Sequence, residues 1–382
     1  MNKFSNVKIG AERDTSGKPT FRKKWEKDFN IGRTRRDVLD KLLVVCGRVG
    51  PEHRKIYETK AKGINADFIT EDRNSWVFTL QSIQKHYDPS FHKGILLIGT
   101  NKELPGTQIS YQGSYAYTDW FMQDVDGDGI PDVPIGRIYG APETVLYHMD
   151  PNVIDSDLAV IFDSQPGRSN RHVEALVQLG FEVEVLERYR TEDKELLGSC
   201  EFILQFSDGV FSSRIHGTPE QWASHNAVIL SSSQASEIMF KGYPVIFSEA
   251  CSTAQEGPLL NAFLRQGAAY IGSTLDTLNN IEPFEDWKQC AYADGFKFGF
   301  MDLLDSYSQI GQVKLAVDRG ITENLPEEVM KEIENIRTGE SSVMQSDQAL
   351  STLEWVFFGN PLRRTTVGPN ADYSPGRLIV DT

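Results

Sequence analysis

Residues 242–257 read GYPVIFSEACSTAQEG. The apolar run Val245-Ile246-Phe247 has the length and composition of a buried strand, and it breaks into Ser248-Glu249-Ala250 and then Cys251. GPLLNAFLRQG (257–267) follows with helical apolar spacing, and Pro258 suits a first helical turn. Strand, short turn and helix make up the repeating unit of a parallel α/β sheet, in which functional residues gather at the carboxyl ends of strands. Cys251 sits at such an end. A cysteine met in isolation is more often a core residue, because free cysteine is among the most buried residue types.

The same alternation extends outward on both sides. KLLVVCGRVG (41–50), ADFIT (66–70) and KGILLIGT (93–100) read as strands, with NSWVFTLQSIQKHY (74–87) as a helix between the last two. After about residue 150 the pattern restarts with DLAVIFDS (157–164), the helix RSNRHVEALVQLGF (168–181), EVEVLERY, EFILQFS (201–207) and, beyond Cys251, AAYIGST (268–274). A long helical tail is predicted up to LEWVFFGNPLRR. This predicts a polar, partly basic arm over 1–36, a first α/β lobe over 37–150 and a second over 151–382, with a mostly parallel sheet.

A chain of 382 residues is long enough for about two such units. The net charge of −15 argues against nucleic acid or an anionic membrane as partner, since either needs a basic face. Four scattered cysteines without a CxxC pair suggest neither a disulfide scaffold nor zinc. The N-terminal residues show no apolar signal segment, so the chain as written reads as cytoplasmic; a secreted protein without its leader would look the same. No glycine-rich nucleotide-binding motif follows a predicted strand, so an unrelated nucleotide-binding enzyme is a poor reading and no organic cofactor is expected.

QDVDGDGIPDVPIGRI places Asp124, Asp126, Asp128 and Asp132 within nine residues, with Gly127 and Gly129 among them. Carboxylates converging on one tight turn repel one another unless a cation lies between them, and this alternation resembles a calcium loop. The twelfth-position glutamate of a full EF-hand is replaced by Ile135. The competing reading is a solvated acidic turn; the spacing favours structural calcium.

A nucleophilic thiol needs a base or proton donor, and a leaving amine must receive a proton. HGTPEQW (216–222) lies upstream of EAC (249–251), with His216 and Cys251 35 positions apart (251 minus 216). Parallel pairing of the strands before each would bring them to one sheet edge, and Gly217 leaves an amide free to face a developing oxyanion. These two segments, in order with ILLIGT, DVDGDGIPDVPIGRI, AAYIGST and WVFFGNPLRR, resemble the gingipain-type cysteine peptidases, relatives of caspases and legumains, over roughly residues 40–364.

The resemblance implies a caspase-like three-layer α/β sandwich preceded by a smaller α/β lobe. It implies a cysteine endopeptidase with Cys251 as nucleophile, His216 as the catalytic histidine, and the Gly217 and Cys251 amides as oxyanion hole. The substrate would be a peptide or protein carrying a charged residue on the acyl side of the scissile bond. Asp276 after YIGST favours a basic residue there and Arg168 an acidic one, with the basic reading preferred; Trp222 is a candidate for the cleft wall or for the core. The alternative is a catalytically silent, calcium-stabilised binding or scaffold protein. The sequence leaves the oligomeric state open.

Overall fold

A computed structural model describes residues 41–150, 153–154, 156–163, 169–206, 217–224, 227–278 and 286–365. The predicted arm over 1–36, His216 and Arg168 lie outside the described residues. The apolar runs of the first half form β1 (Lys41–Cys46), β2 (Asp67–Thr70) and β3 (His92–Ile98). A hairpin of β4 (Thr107–Tyr111) and β5 (Ser114–Thr118) turns on Gln112 and Gly113, both at positive φ, as two-residue hairpins require. β6 (Ile135–Ile138) follows the acidic loop. The second half supplies β7 (Leu158–Asp163), β8 (Glu182–Leu186) and β9 (Phe202–Phe206). Then come a small antiparallel sheet of β10 (Gly217–Thr218), β11 (Gln221–Ser224) and β12 (Ala227–Ser231), followed by β13 (Val245–Ser248), β14 (Ala269–Ser273), β15 (Val343–Met344) and β16 (Trp355–Phe358).

Ten of these strands make one mostly parallel sheet in the order β2-β1-β3-β6-β16-β14-β13-β9-β7-β8, so a single sheet runs through both predicted lobes. Inner strands such as β1, β3, β13 and β14 are buried on both faces, which is why they read as continuous apolar runs rather than alternating ones, whereas the edge strands β2 and β8 are partly exposed. Ile246, Tyr270, Val160 and Val44 face one core, packed by helices Pro51–Gly63, Pro142–Met149 and Pro258–Arg265. Phe247, Ile271 and Ile161 face another on the opposite side, under helices Asn170–Leu179, Ala293–Leu303 and Ile310–Thr322. No helix among the described residues is long and apolar enough to cross a membrane.

The predicted helical tail ends at Leu353, and WVFF is a strand instead. All four of its residues are buried, so neither face offers the polar stripe a surface helix would need. β16 pairs antiparallel with β14, Ser273 opposite Trp355 and Tyr270 opposite Phe358, and meets β6 at Phe358–Arg137. The carboxyl ends of the two halves share one edge. Asn101, just after β3, donates its backbone N–H (2.5 Å) and its amide (2.9 Å) to Glu256, in the turn after β13.

The β6–β16 seam leaves no room for a side chain at Gly136, where a Cβ would lie 2.0 Å from the Gly359 carbonyl oxygen. Gly136→Ala therefore forces backbone apart at the seam, and a loss of about 1–3 kcal/mol is expected for such overpacking. Urea unfolding measures it; a midpoint equal to wild type would show that the seam is looser than described.

Candidate active site

Cys251 lies three residues past β13 and is half-buried, whereas Cys46, Cys200 and Cys290 are buried. The turn that carries it is held from within. Ser248 Oγ donates to Gln205 Oε1 (3.0 Å), the same oxygen receives the Ala250 N–H (3.0 Å), and Thr253 Oγ1 donates to the Ala250 carbonyl (2.9 Å). Gln205 reaches this position because β9 and β13 pair in parallel with Ser248 opposite Gln205. Ser252 takes φ +58°, a left-handed conformation uncommon in a residue other than glycine.

One wall is the chain leaving β14. The Ala254 N–H donates to Ser273 O (2.9 Å) and the Ser252 N–H to Leu275 O (2.7 Å), while the Thr277 N–H points at Cys251 Sγ (3.4 Å). Gln255 Nε2 donates to Thr274 O (2.8 Å), and Thr277 Oγ1 lies 3.3 Å from Sγ. The two segments run past each other like a short antiparallel ladder with the thiol at its end. The other wall is Gly217, where a Cβ would stand 2.6 Å from Thr253 Cγ2, 2.7 Å from Cys251 O and 2.8 Å from Ala250 Cβ. Glycine here permits close approach of backbone to backbone. His216, the residue bonded to Gly217, lies outside the described residues.

Burial pushes the Cys251 thiol up from its ordinary range. The two Thr277 hydrogen bonds pull it down, and the charges of Asp276 and Glu354 push it further up. Asp276 is exposed beside Thr277. Glu354, immediately before β16, is fully buried, and burial raises its carboxyl well above the usual range. Below the turn Glu249 is fully buried and pairs with Lys297 Nζ at 3.0 Å, which also meets Asp294 at 2.9 Å.

Trp222 belongs to the core rather than to a cleft wall. It is wholly buried against Phe162 and Phe263 and donates its indole N–H to the Tyr270 hydroxyl (3.2 Å). In the acidic loop, Asp124, Asp126 and Asp128 bring carboxylate oxygens within 4.8 Å of one another. Asp132 stands outside that cluster. One of its oxygens accepts the Val125 (3.0 Å) and Asp126 (3.2 Å) N–H groups, and the other faces Arg319 at 3.7 Å. Asp124 is buried and accepts from the Gly127 (2.8 Å) and Gly129 (3.0 Å) N–H groups, both glycines at positive φ.

Thr277, Gln205, Ser273 and Glu354 surround Cys251 and were not singled out from the sequence. Thr277 adjoins the candidate Asp276, and Glu354 is an acid directly preceding an apolar run, the two local signals that could have drawn attention. His172 is also buried near this edge, between Phe206 and Phe298, with neither ring nitrogen hydrogen-bonded among the described residues.

No family model matches the chain, and no curated protein does. Three solved structures align at low similarity. D-lactate dehydrogenase with NAD+ from Lactobacillus jensenii is 12% identical, over 80% of this chain and 100% of that one, at a TM-score of 0.22. A D-isomer specific 2-hydroxyacid dehydrogenase from Lactobacillus delbrueckii ssp. bulgaricus is 13% identical over 78% and 97%, at 0.22. Shikimate dehydrogenase 1 from Peptoclostridium difficile is 9% identical over 82% and 100%, at 0.21. TM-scores this low carry no argument about fold or function.

Burial drives the Cys46 and Cys200 thiols up to about 12. Iodoacetamide should therefore label native protein at Cys251 first, with Cys46, Cys200 and Cys290 reacting only after denaturation. Peptide mapping by mass spectrometry checks this, and labelling spread equally over the four would contradict the exposures described.

Proposed function

We propose that this protein is a cysteine endopeptidase of the gingipain type, with Cys251 as nucleophile and His216 as proton donor to the leaving amine, on a caspase-like sandwich preceded by a smaller lobe. One observation carries the reading: Gly217, within the HGTPEQW segment, is packed against the Ala250–Cys251 backbone. Two motifs far apart in sequence thus meet at the carboxyl edge of the sheet. In the proposed course Cys251 passes its thiol proton to His216 as Sγ adds to the scissile carbonyl, and the Gly217 and Cys251 amides receive the oxyanion. The leaving amine takes a proton from His216, and water then releases the acyl group.

The side chain on the acyl side of the scissile bond is proposed to be basic. Asp276 is exposed beside Thr277, which touches the thiol, and its charge acts on Cys251. Arg168 lies outside the described residues and lends no geometry to an acidic preference.

The loop carboxylates of Asp124, Asp126 and Asp128 fit a hard cation such as calcium, which would offset their mutual repulsion there. Arg337 of helix Glu327–Thr338 acts on Asp124, and Arg319 Nη1 donates to Pro131 O (3.2 Å). Loop order is thereby linked to how the first half packs on the later helices.

Fluorogenic peptides with arginine or lysine before the scissile bond should be cleaved, and Cys251→Ala or His216→Ala should lower kcat at least a hundredfold. Asp276→Ala should chiefly raise KM for basic substrates, about tenfold or more. A folded protein whose Cys251 labels but which cleaves no member of a complete library would leave the silent binding-protein reading. Chelation with EGTA should lower the thermal midpoint by several degrees, restored by calcium and absent in Asp126→Asn; an unchanged midpoint removes calcium from the description.

A further inference from the structure

Glu354 is a buried acid near Cys251 that the peptidase reading leaves without a role. It is fully buried, so it does not touch substrate. It lies at the start of β16, beside the segment 273–277 that walls the thiol. Its carbonyl accepts from the Thr274 N–H (3.0 Å) and from Thr274 Oγ1 (3.1 Å). Its carboxyl Oε2 lies 2.7 Å from Ser273 Oγ, while Oε1 has no hydrogen-bond partner among the described residues.

The protons around Ser273 can be counted. Ser273 Oγ lies within hydrogen-bond distance of Glu354 Oε2 (2.7 Å), Leu275 O (2.8 Å) and Leu275 N (3.2 Å). The Leu275 N–H donates its own proton. Two oxygen–oxygen contacts remain, and a hydroxyl has only one proton to give. Ser273 can serve Leu275 O only if the proton between Ser273 and Glu354 comes from the carboxyl. An ionised carboxylate would take the Ser273 proton away from Leu275 O and leave Oε1 charged, buried and without a partner among the described residues, a strongly unfavourable state. The burial that lifts the Glu354 carboxyl acts in the same direction.

Leu275 O also receives the Ser252 N–H at 2.7 Å, and Ser252 is the left-handed residue directly after the nucleophile. A non-glycine residue in a sparsely populated region is strained and persists only when its surroundings hold it. The chain of contacts therefore runs Glu354, Ser273, Leu275, Ser252, Cys251. We infer that Glu354 is a positioning residue for Cys251, acting as a hydrogen-bond donor through Ser273 to hold the Leu275 carbonyl that fixes the turn bearing the thiol. The inference rests on the proposed function only in taking Cys251 as the reactive thiol. It assigns Glu354 a neutral donor's role, distinct from the exposed carboxylate of Asp276.

The test is the second-order rate of Cys251 alkylation by iodoacetamide in the full chain, with folding checked by circular dichroism. Glu354→Gln keeps a donor toward Ser273 and should stay within about twofold of wild type. Glu354→Leu keeps bulk without a donor, and Ser273→Ala breaks the relay one step along; each should slow alkylation about tenfold or more in folded protein. Glu354→Leu at the wild-type rate overturns the proposal, as does Glu354→Gln as slow as Glu354→Leu, which would mean that charge rather than donation matters. Should Glu354→Leu fail to fold, Ser273→Ala decides, and a wild-type rate there overturns it. Alkylation needs no peptide cleavage, so a protein without peptidase activity would sink the proposed function and leave this measurement intact.

Discussion

Strand β16 is the constraint on which the rest of the molecule hangs. It lies between β14 and β6, and its four residues are buried on both faces. Trp355 stacks on Phe296 with ring centroids 4.5 Å apart and planes 5° apart, which anchors the strand to the helical layer. At its far end the chain turns through Gly359, whose φ of +140° and close approach to the Tyr243 hydroxyl and Ala269 suit no residue with a side chain. Asn360 then receives the seam: its N–H donates to the Tyr243 hydroxyl (2.8 Å) and its amide to Met149 O (3.1 Å). Arg363, also buried, meets Glu201 at 3.1 Å and donates to Tyr243 O (3.0 Å). Removing one partner of such a buried pair typically costs about 3–5 kcal/mol, because the other charge is left in a low-dielectric interior. A late segment of the chain therefore closes a sheet whose other strands were laid down before it.

The same strand reaches the candidate site. Since β16 runs antiparallel to β14, its first residues lie at the edge where β13 and β14 end. Cys251 is consequently held by parts of the chain drawn from four places: Gln205 in β9, Gly217 in β10, Ser273–Thr277 at and beyond the end of β14, and Glu354 before β16. Each contact is modest in isolation, about 1 kcal/mol net for an ordinary hydrogen bond. Together they over-determine a turn that would not keep Ser252 left-handed unaided. A second buried arginine does the equivalent for the first half. Arg137 binds both oxygens of Asp119 (2.6 and 2.8 Å) and donates to Gly99 O and Leu104 O (2.8 Å each), tying β6 to the loops on either side.

How much of this was legible in the sequence depended on whether the signal was local. The apolar runs at 41–46, 93–98, 158–163, 202–206, 245–248 and 269–273 announced their strands, because a strand buried on both faces must be apolar throughout. Cys251 at a strand end was legible for the same reason. WVFF was not: a short apolar run adjoining a helix reads as either element, and only the space between β14 and β6 decides it. The hairpin of β4 and β5 went unread, since Tyr115 and Tyr117 face outward and blur the alternation. Trp222 could be core or cleft on sequence grounds, and its contacts with Phe162, Phe263 and Tyr270 come from three other elements. Asp132 fitted the loop by spacing, yet its oxygens are engaged by backbone N–H groups and faced by Arg319. Arg137 and Arg363 resemble surface residues until their distant acidic partners are known.

The electrostatics around Cys251 bear on how a peptidase built this way would be activated. The thiol is raised by burial, and the neighbouring charges that act on it, Asp276 and Glu354, are both acidic. A Glu354 kept neutral by its burial removes one of them. That leaves Asp276 as the standing negative charge beside the thiol. On the proposed reading, a basic side chain arriving at Asp276 cancels this field, and cancelling a nearby negative charge lowers the pKa of a thiol. Substrate binding and thiolate formation would then be coupled through one carboxylate. Such coupling is reciprocal: whatever a cation at Asp276 contributes to forming the thiolate, the thiolate returns as affinity for the cation. An acidic residue in the same position would instead add a second negative charge beside an already reluctant thiol, so on the proposed reading the arrangement would discriminate between substrates at the step where the nucleophile is made.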